Sequence, residues 1–382
     1  MKKYSIYFSL FLAVIFTFSS CQNELIEEPN TLDSENTSAL DRESIALNVV
    51  NILQNPSTKD QLTSLLSGKP VGVSLENALH ELSINSTALR QSVTASKNLY
   101  EGQELPEHIE IPELWMHEPK GADLSQLLVS FAPKGDEKSW DKIKAFNLKG
   151  EVVYLDPIEA PNVPVIVVET NGFEALKVEA KFMNKMFRDA GLQSDHSVRN
   201  PAIISGKTAN NGLETTKLDK IRLKDDQEPW ISGAAEVYAI TSGIKNSSNE
   251  PEIQVIPMYY LDHDGRDYYP NQVLLFWDDY AYQAANIQLF EKDDNQNYQA
   301  LAGAIVNGVF QIIGTVSGQP WVNVLGQVAN AILEAMPSNW FTNDDDYVDS
   351  FYTIEKNRTY TNYYGAAGNA KVNMSPYFIP AN

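Results

Sequence analysis

Acidic side chains gather at three points of the chain, each beside a stretch with the periodicity of a strand. The first point holds Asp225, Asp226 and Glu228, the second Glu291, Asp293 and Asp294, and the third Asp344, Asp345 and Asp346. Carboxylate oxygens at this density suit a hard cation, and calcium takes about six to eight oxygen ligands in flexible geometry. Brought to one end of a sheet structure without a cation, these groups would repel one another. The middle group lies in residues 286–298, NIQLFEKDDNQNY. There Ile287 and Leu289 alternate with Asn286 and Gln288, which predicts a half-buried strand leading into an oxygen-rich loop. The sequence therefore predicts calcium as the bound ion.

Other chemistries find less support. Asp262, Asp264 and Asp267 around Gly265 resemble part of a calcium loop but lack the later glutamate, and a hairpin turn is the expectation there. His80-Glu81 lacks the second histidine of a zinc-protease helix, and no Gly-x-Ser-x-Gly elbow occurs. The histidines at 80, 108, 117, 196 and 263 are scattered and do not space as metal ligands. A glycosidase needs two carboxylates, but nothing in the sequence selects a pair. A secreted carboxylate- or metal-dependent hydrolase, with the N-terminal segment as an accessory, is the alternative to a binding module. Aromatic residues concentrate in the C-terminal part, among them Tyr259, Tyr260, Tyr268, Tyr269, Trp277, Tyr363 and Tyr364. They can pack a sheet or stack on a sugar or protein ligand.

The elements that must position these groups fit within 382 residues, enough for more than one core. The formal net charge of -21 opposes nucleic acid as a partner, because phosphate binding needs basic surface. Cys21 is the single cysteine, so no disulfide can form within the chain. Lys2 and Lys3 precede an apolar run over residues 6–18 that is too short for a membrane span, and Ser19-Ser20-Cys21 closes it. An ordinary cleaved signal would have the same outline. Residues 21–39 are polar, acidic and aperiodic, as expected of a flexible tether.

From residue 40 the pattern is helical, with successive helices over Ile45–Leu53, from Ser57, from Ser74 and from Ser86. The period then changes to two around Leu127, Val129 and Phe131. A hairpin is predicted about Lys149-Gly150, and a doubly covered strand over residues 163–168. Asn171-Gly172 opens a helix with Leu176, Met183 and Phe187 on its buried side. Residues 40–191 are expected to form a helical plus α+β domain, with that helix against its strands. Residues 192–216 read as a linker, with a short strand at 202–204. Residues 217–382 are expected to form an antiparallel β-sandwich interrupted by a helical hairpin over 299–337. Asn307 and Gln311 in one arm, and Asn323, Gln327, Asn330 and Glu334 in the other, give each arm a polar stripe, which favours packing on the sandwich over membrane insertion. The fold class is thus α+β.

Three resemblances add to this reading. The segment ending in Cys21 resembles a bacterial lipoprotein signal, with Phe18 where leucine is usual. The resemblance implies a diacylated Cys21 as mature N-terminus, a membrane contact through that lipid, and an outer-membrane, surface-exposed location. The acidic residues following Cys21 are similar to surface-export signals of Bacteroidetes lipoproteins. Asp226 before Glu228-Pro229-Trp230, and Phe290-Glu291-Lys292-Asp293, resemble the apical loops of calcium-binding sandwiches of the synaptotagmin and protein kinase C type. In that comparison the second-loop aspartate falls on Asp278 or Asp279, and the hairpin interrupts the third loop, where Asp345 and Asp346 are the candidate ligands. Finally, VPVIVVETNG, EPWISGAAEVYAI, YLDHDGRDYYPNQ and FEKDDNQNY resemble a bacterial secreted family, domain of unknown function 3103, which implies no activity. Together these point to a lipid-anchored envelope protein that binds calcium and presents a face to a glycan or protein ligand.

Overall fold

The computed structural model describes residues 40–380 except 70, 134–138, 195–211, 225–229, 246–247, 262–264, 293–296, 314–317 and 338–346. Residues from Ser38 onward make one compact unit. Four helices come first: α1 (Arg42–Leu53), α2 (Pro56–Leu66), α3 (Leu75–Glu81) and α4 (Thr87–Tyr100). Each begins on a side-chain oxygen that accepts a free backbone N–H of the first turn, from Asp41, Asn55, Ser74 and Ser86 respectively. Pro56 starts α2, one residue ahead of the expected start at Ser57, because a proline at the first helical position lacks only an N–H that would be unpaired anyway.

Strands β1 (Val73–Ser74), β2 (Glu113–His117), β3 (Leu128–Phe131), β4 (Ile143–Asn147), β5 (Val152–Leu155) and β6 (Val165–Glu169) form the N-terminal sheet, in the order β1-β2-β6-β3-β4-β5. Only β3 and β6 pair in parallel. The four helices cover one face, where Leu62, Leu66, Leu89 and Val49 meet Leu114, Val129, Phe146, Ile166 and Val168. On the other face Trp115, Ile143, Val165 and Val167 pack against Ile231 and Trp230. The N-terminal helices are therefore an integral layer of the core. The β-branched run in β6 is buried throughout, as its composition predicted.

Helix α5 (Phe173–Asp189) departs from expectation. It does not cover the N-terminal sheet. Phe173, Leu176, Met183 and Phe187 instead join a core with Tyr238, Ile240, Ile253 and Val255, all from beyond the expected linker. Periodicity fixes which face of a helix is buried but not the partner that buries it. The segment expected as a short strand at 202–204 lies outside the described residues, and β7 (Leu213–Leu223) begins inside the range expected as linker.

The C-terminal part is a sandwich of two four-stranded antiparallel sheets. The inner sheet runs β12 (Tyr347–Glu355), β11 (Ala284–Glu291), β8 (Val237–Ile244), β9 (Pro251–Pro257). The outer sheet runs β10 (Gln272–Phe276), β7, β14 (Ala370–Ile379), β13 (Tyr360–Tyr364). Between them lie Leu218, Ile221, Leu274, Val372 and Met374 on one side and Val237, Ile287, Leu289 and Phe351 on the other. The second face of the inner sheet is covered by α5, α6 (Tyr298–Ile313) and α7 (Trp321–Ala335), so the helical hairpin packs on the sandwich. Asn307, Gln311, Asn323, Asn330 and Glu334 stay exposed on it. No described helix is long and apolar enough to cross a membrane.

Because both faces of the inner sheet are covered, β8 and β11 are buried along their length. Asn286 and Gln288, which the alternation placed on a wetter side, are 2% and 0% exposed. Their amides donate to the α7 carbonyls of Leu325 (3.1 Å) and Ala329 (3.2 Å). The Asn286 carbonyl oxygen also accepts the N–H of Thr353, at a break in the β11–β12 register where Thr353 has φ +55°. The alternating polar residues thus fasten strand to helix. Asp262 and Asp264 of the expected Asp-Gly turn lie outside the described residues. β9 belongs to the inner sheet and β10 to the outer one, so the chain passes from one sheet to the other between them and these two strands are not paired. The crossing segment is held to β7 by Ile221 and Tyr268, which exchange both backbone hydrogen bonds at 3.0 and 2.8 Å.

Candidate functional site

Of the expected cation ligands, Asp225, Asp226, Glu228, Asp293, Asp294, Asp344, Asp345 and Asp346 lie outside the described residues, as does Cys21. Glu291 is described: it is the last residue of β11, opposite Val237, and 3% exposed. Asp278 is exposed and Asp279 buried at a tight turn after β10. Among the described residues no group of three or more His, Cys, Asp or Glu side chains is placed to hold a metal ion. The described histidines do other work or face solvent. His117 lies 2.9 Å from the Pro161 carbonyl and against the Trp230 ring, while His80 and His108 are exposed.

Two places carry functional chemistry that the sequence pattern did not single out. The first is a buried acidic crevice where α5 begins. Glu113 on β2 and Glu169 on β6 are register partners, both buried. Gly172 at the α5 N-cap has no side chain to offer, and Glu113 Oε1 accepts the Glu174 N–H from across the sheet at 2.7 Å. A Cβ on Gly172 would stand 3.0 Å from that same oxygen. Glu169 Oε1 accepts the N–H groups of Thr170 (2.5 Å) and Asn171 (2.9 Å) and has Arg42 at 3.7 Å. Burial pushes the Glu113 carboxyl up to about 8, against the pull of the Glu174 N–H and with Glu174 and Glu169 adding repulsion. Lys292 closes the neighbourhood, donating to the Asn171 carbonyl at 2.8 Å and pairing with buried Glu179 at 3.6 Å.

A buried carboxyl that keeps its proton beside a second carboxyl is a usual mark of acid–base chemistry. Here the space between them, Trp115, Gly172, Ser232 and Glu236 admits the centre of a water molecule over only about 10 Å³. That volume holds one water and no substrate. The arrangement serves to start α5 and to join it to β2 and β6. A glutamate at the end of a fully apolar strand run was the available signal for it.

The second place is the outward face of the outer sheet. Lys217, Lys220 and Arg222 project from β7 and Lys371 from β14, on the side away from the buried leucine and valine positions. Each lysine has a tyrosine ring beside it. Lys217 lies 5.1 Å from the Tyr377 ring centre, Lys371 5.6 Å from Tyr364, and Lys220 5.9 Å from Tyr269. These rings are exposed, Tyr364 by 59%, Tyr377 by 44% and Tyr269 by 66%. Asp267 reaches in from the crossing segment to Lys220 (2.7 Å) and Arg222 (3.7 Å). The Lys220 hydrogen bond holds the Asp267 carboxyl below the usual carboxylate range. The tyrosines were visible in the sequence, but their partition between core and surface was not. Tyr360 is buried, Tyr363 is exposed but lies against the Tyr360 and Phe351 rings, and Tyr364 is exposed.

Comparison with known proteins gives one match: a family described as "Protein of unknown function (DUF3103)" matches residues 43–382. No curated protein and no solved structure matches the chain.

Proposed function

The chain belongs to the DUF3103 family, and from that premise we propose that it is a lipid-anchored cell-envelope binding module whose ligand lies on the outward face of the outer sheet. The observation that carries this reading is the set of exposed tyrosine rings on the outward face of the outer sheet. Exposed rings held by a rigid scaffold give contact area at little cost in ordering, and they favour flat ligands such as sugar rings. The enzymatic alternative has less support, because the described carboxyl pair sits in a crevice with room for one water.

Two further parts of the proposal come from the sequence. Cys21 carries the lipid, and residues 22–39 hold the folded part away from the membrane surface. The acidic groups at Asp225/Asp226/Glu228, Glu291/Asp293/Asp294 and Asp345/Asp346 take calcium.

The binding reading is tested by electrophoresis of the full chain, in detergent, through gels containing soluble polysaccharides. Retardation that weakens in Tyr364→Ala/Tyr377→Ala is expected. Unaltered mobility in every gel overturns the reading. Calcium is tested separately by thermal melting. A rise in melting temperature at millimolar calcium, reversed by chelator, is expected, and an unchanged melt removes calcium from the proposal.

A further inference from the structure

We infer that the ligand of this face is an anionic polysaccharide, a linear chain bearing carboxylate groups. The inference rests on the binding reading above and names its ligand class.

The charge of the face runs against the rest of the molecule. The chain has 50 Asp and Glu against 29 Lys and Arg. Among the described residues, the acidic partners of Lys217, Lys220 and Arg222 on this face are Asp219 and Asp267. More telling is the register: Lys371 on β14 stands directly opposite Arg222 on β7. Like charges in directly opposed positions destabilise a sheet. Asp267 relieves this in part from the Arg222 side, at 3.7 Å. A surface that is merely solvated has no use for such a pair, and a bound anion would turn the repulsion into attraction.

The placement of rings next to cations narrows the class. A ring alone suits a neutral sugar. A ring that carries an ammonium group over one face suits a sugar with a carboxylate, the pyranose against the ring's other face and the charge on the amine. This couple occurs three times, at Lys217–Tyr377, Lys220–Tyr269 and Lys371–Tyr364. From Lys217 to Arg222 the row extends about 17 Å at the usual rise of a strand. That length matches several sugar units of one extended chain. A nucleic-acid duplex would carry its phosphates past the edge of this face and onto acidic surface, where binding is opposed.

The test uses the full chain in detergent and three probes: polygalacturonate, dextran and duplex DNA. Chelator is present throughout, so that calcium bridging to the acidic loops cannot substitute for the face. Retardation by polygalacturonate is expected, falling as salt is raised. Lys220→Gln/Arg222→Gln should bind about tenfold more weakly. Because those two residues also hold Asp267, Lys371→Gln serves as a second variant that leaves both Asp267 ion pairs in place, and melting curves confirm that each variant folds. Equal retardation by dextran, unaffected by the charge variants, overturns the anionic assignment and leaves the binding reading standing. Tighter binding of DNA than of polygalacturonate also overturns it, as does binding of polygalacturonate that neither variant weakens. No retardation by any polysaccharide overturns the binding reading itself.

Discussion

Glu113 and Glu169 face one another across the β2–β6 ladder, yet they are not equivalent. Glu169 holds two backbone N–H groups on one oxygen, with the Arg42 guanidinium behind it. Glu113 has a single N–H, from Glu174, in a more apolar setting. Two adjacent buried carboxylates cannot both ionise at low cost. Glu113 is therefore the member of the pair that keeps its proton near neutrality.

That asymmetry fixes a pH dependence. The folded Glu113 carboxyl, at about 8, lies above its ordinary value of 4.5. The folded state therefore holds a proton that the unfolded chain has already lost between these values. Stability is fully present below about 4.5, falls as pH rises, and levels above 8. Glu113→Gln keeps an oxygen for the Glu174 N–H and removes the titration. Its unfolding free energy from urea titration should match the parent at pH 4 and exceed it at pH 9, by an amount on the order of a few kcal/mol. Parallel pH profiles for the two proteins would contradict the assignment.

Lys292 and Glu179 form an ion pair in which each side chain is 7% exposed. Removing one member leaves a buried charge, a change that typically costs about 3–5 kcal/mol. Lys292→Met should therefore destabilise strongly. Lys292→Met with Glu179→Met should recover a large part of the loss, since the second change removes the buried carboxylate that Lys292 neutralised. Chemical denaturation of the three variants checks this. A double variant no better than the single one would mean that the Asn171 carbonyl is the lysine's chief partner.

Asp349 anchors the far end of the sandwich. It is fully buried on β12, and its carboxylate accepts the N–H groups of Ser350, Ala367 and Ala370 at 2.7–2.8 Å. The turn between β13 and β14 is thus tied to the inner sheet. Gly365 lies so close that a Cβ there would fall 2.1 Å from the Asp349 Cγ. Asp349→Ala leaves these donors without a partner, at about 1–3 kcal/mol each. Gly365→Ala should do comparable damage by forcing the carboxylate away. Hydrogen exchange should show lost protection at Ala367 and Ala370 in both variants while β2 and β6 stay protected. Protection lost evenly across the protein would point to global loosening.

Local features of the fold were legible because local chemistry specifies them. The caps at Ser74 and Ser86, the Lys149-Gly150 hairpin and the buried β6 run each follow from residues adjacent in sequence. What stayed hidden depends on distant contacts. The pattern of α5 shows a buried side, but nothing in residues 173–189 names β9 and α6 as its cover. The Asn286 and Gln288 side chains looked solvated because alternation distinguishes apolar from polar, not wet from dry. They are dry because α7 supplies carbonyls for their amides. Glu113 and Glu169 are lone carboxylates far apart in sequence, and they meet only through sheet order. The outward face was hidden for the same reason. Lys371 and Arg222 become neighbours by register alone.

The position of α5 also sets an order of events during synthesis. The helix leaves the ribosome before any of β8, β9, α6 or α7, which hold most of the surface it must cover. Until β8, β9 and α6 have emerged, Phe173, Leu176, Met183 and Phe187 lack most of their cover. Glu113, which starts the helix, waits with them. The N-terminal half cannot finish folding on its own, and a cut anywhere in 195–211 would leave each fragment short of part of its interior.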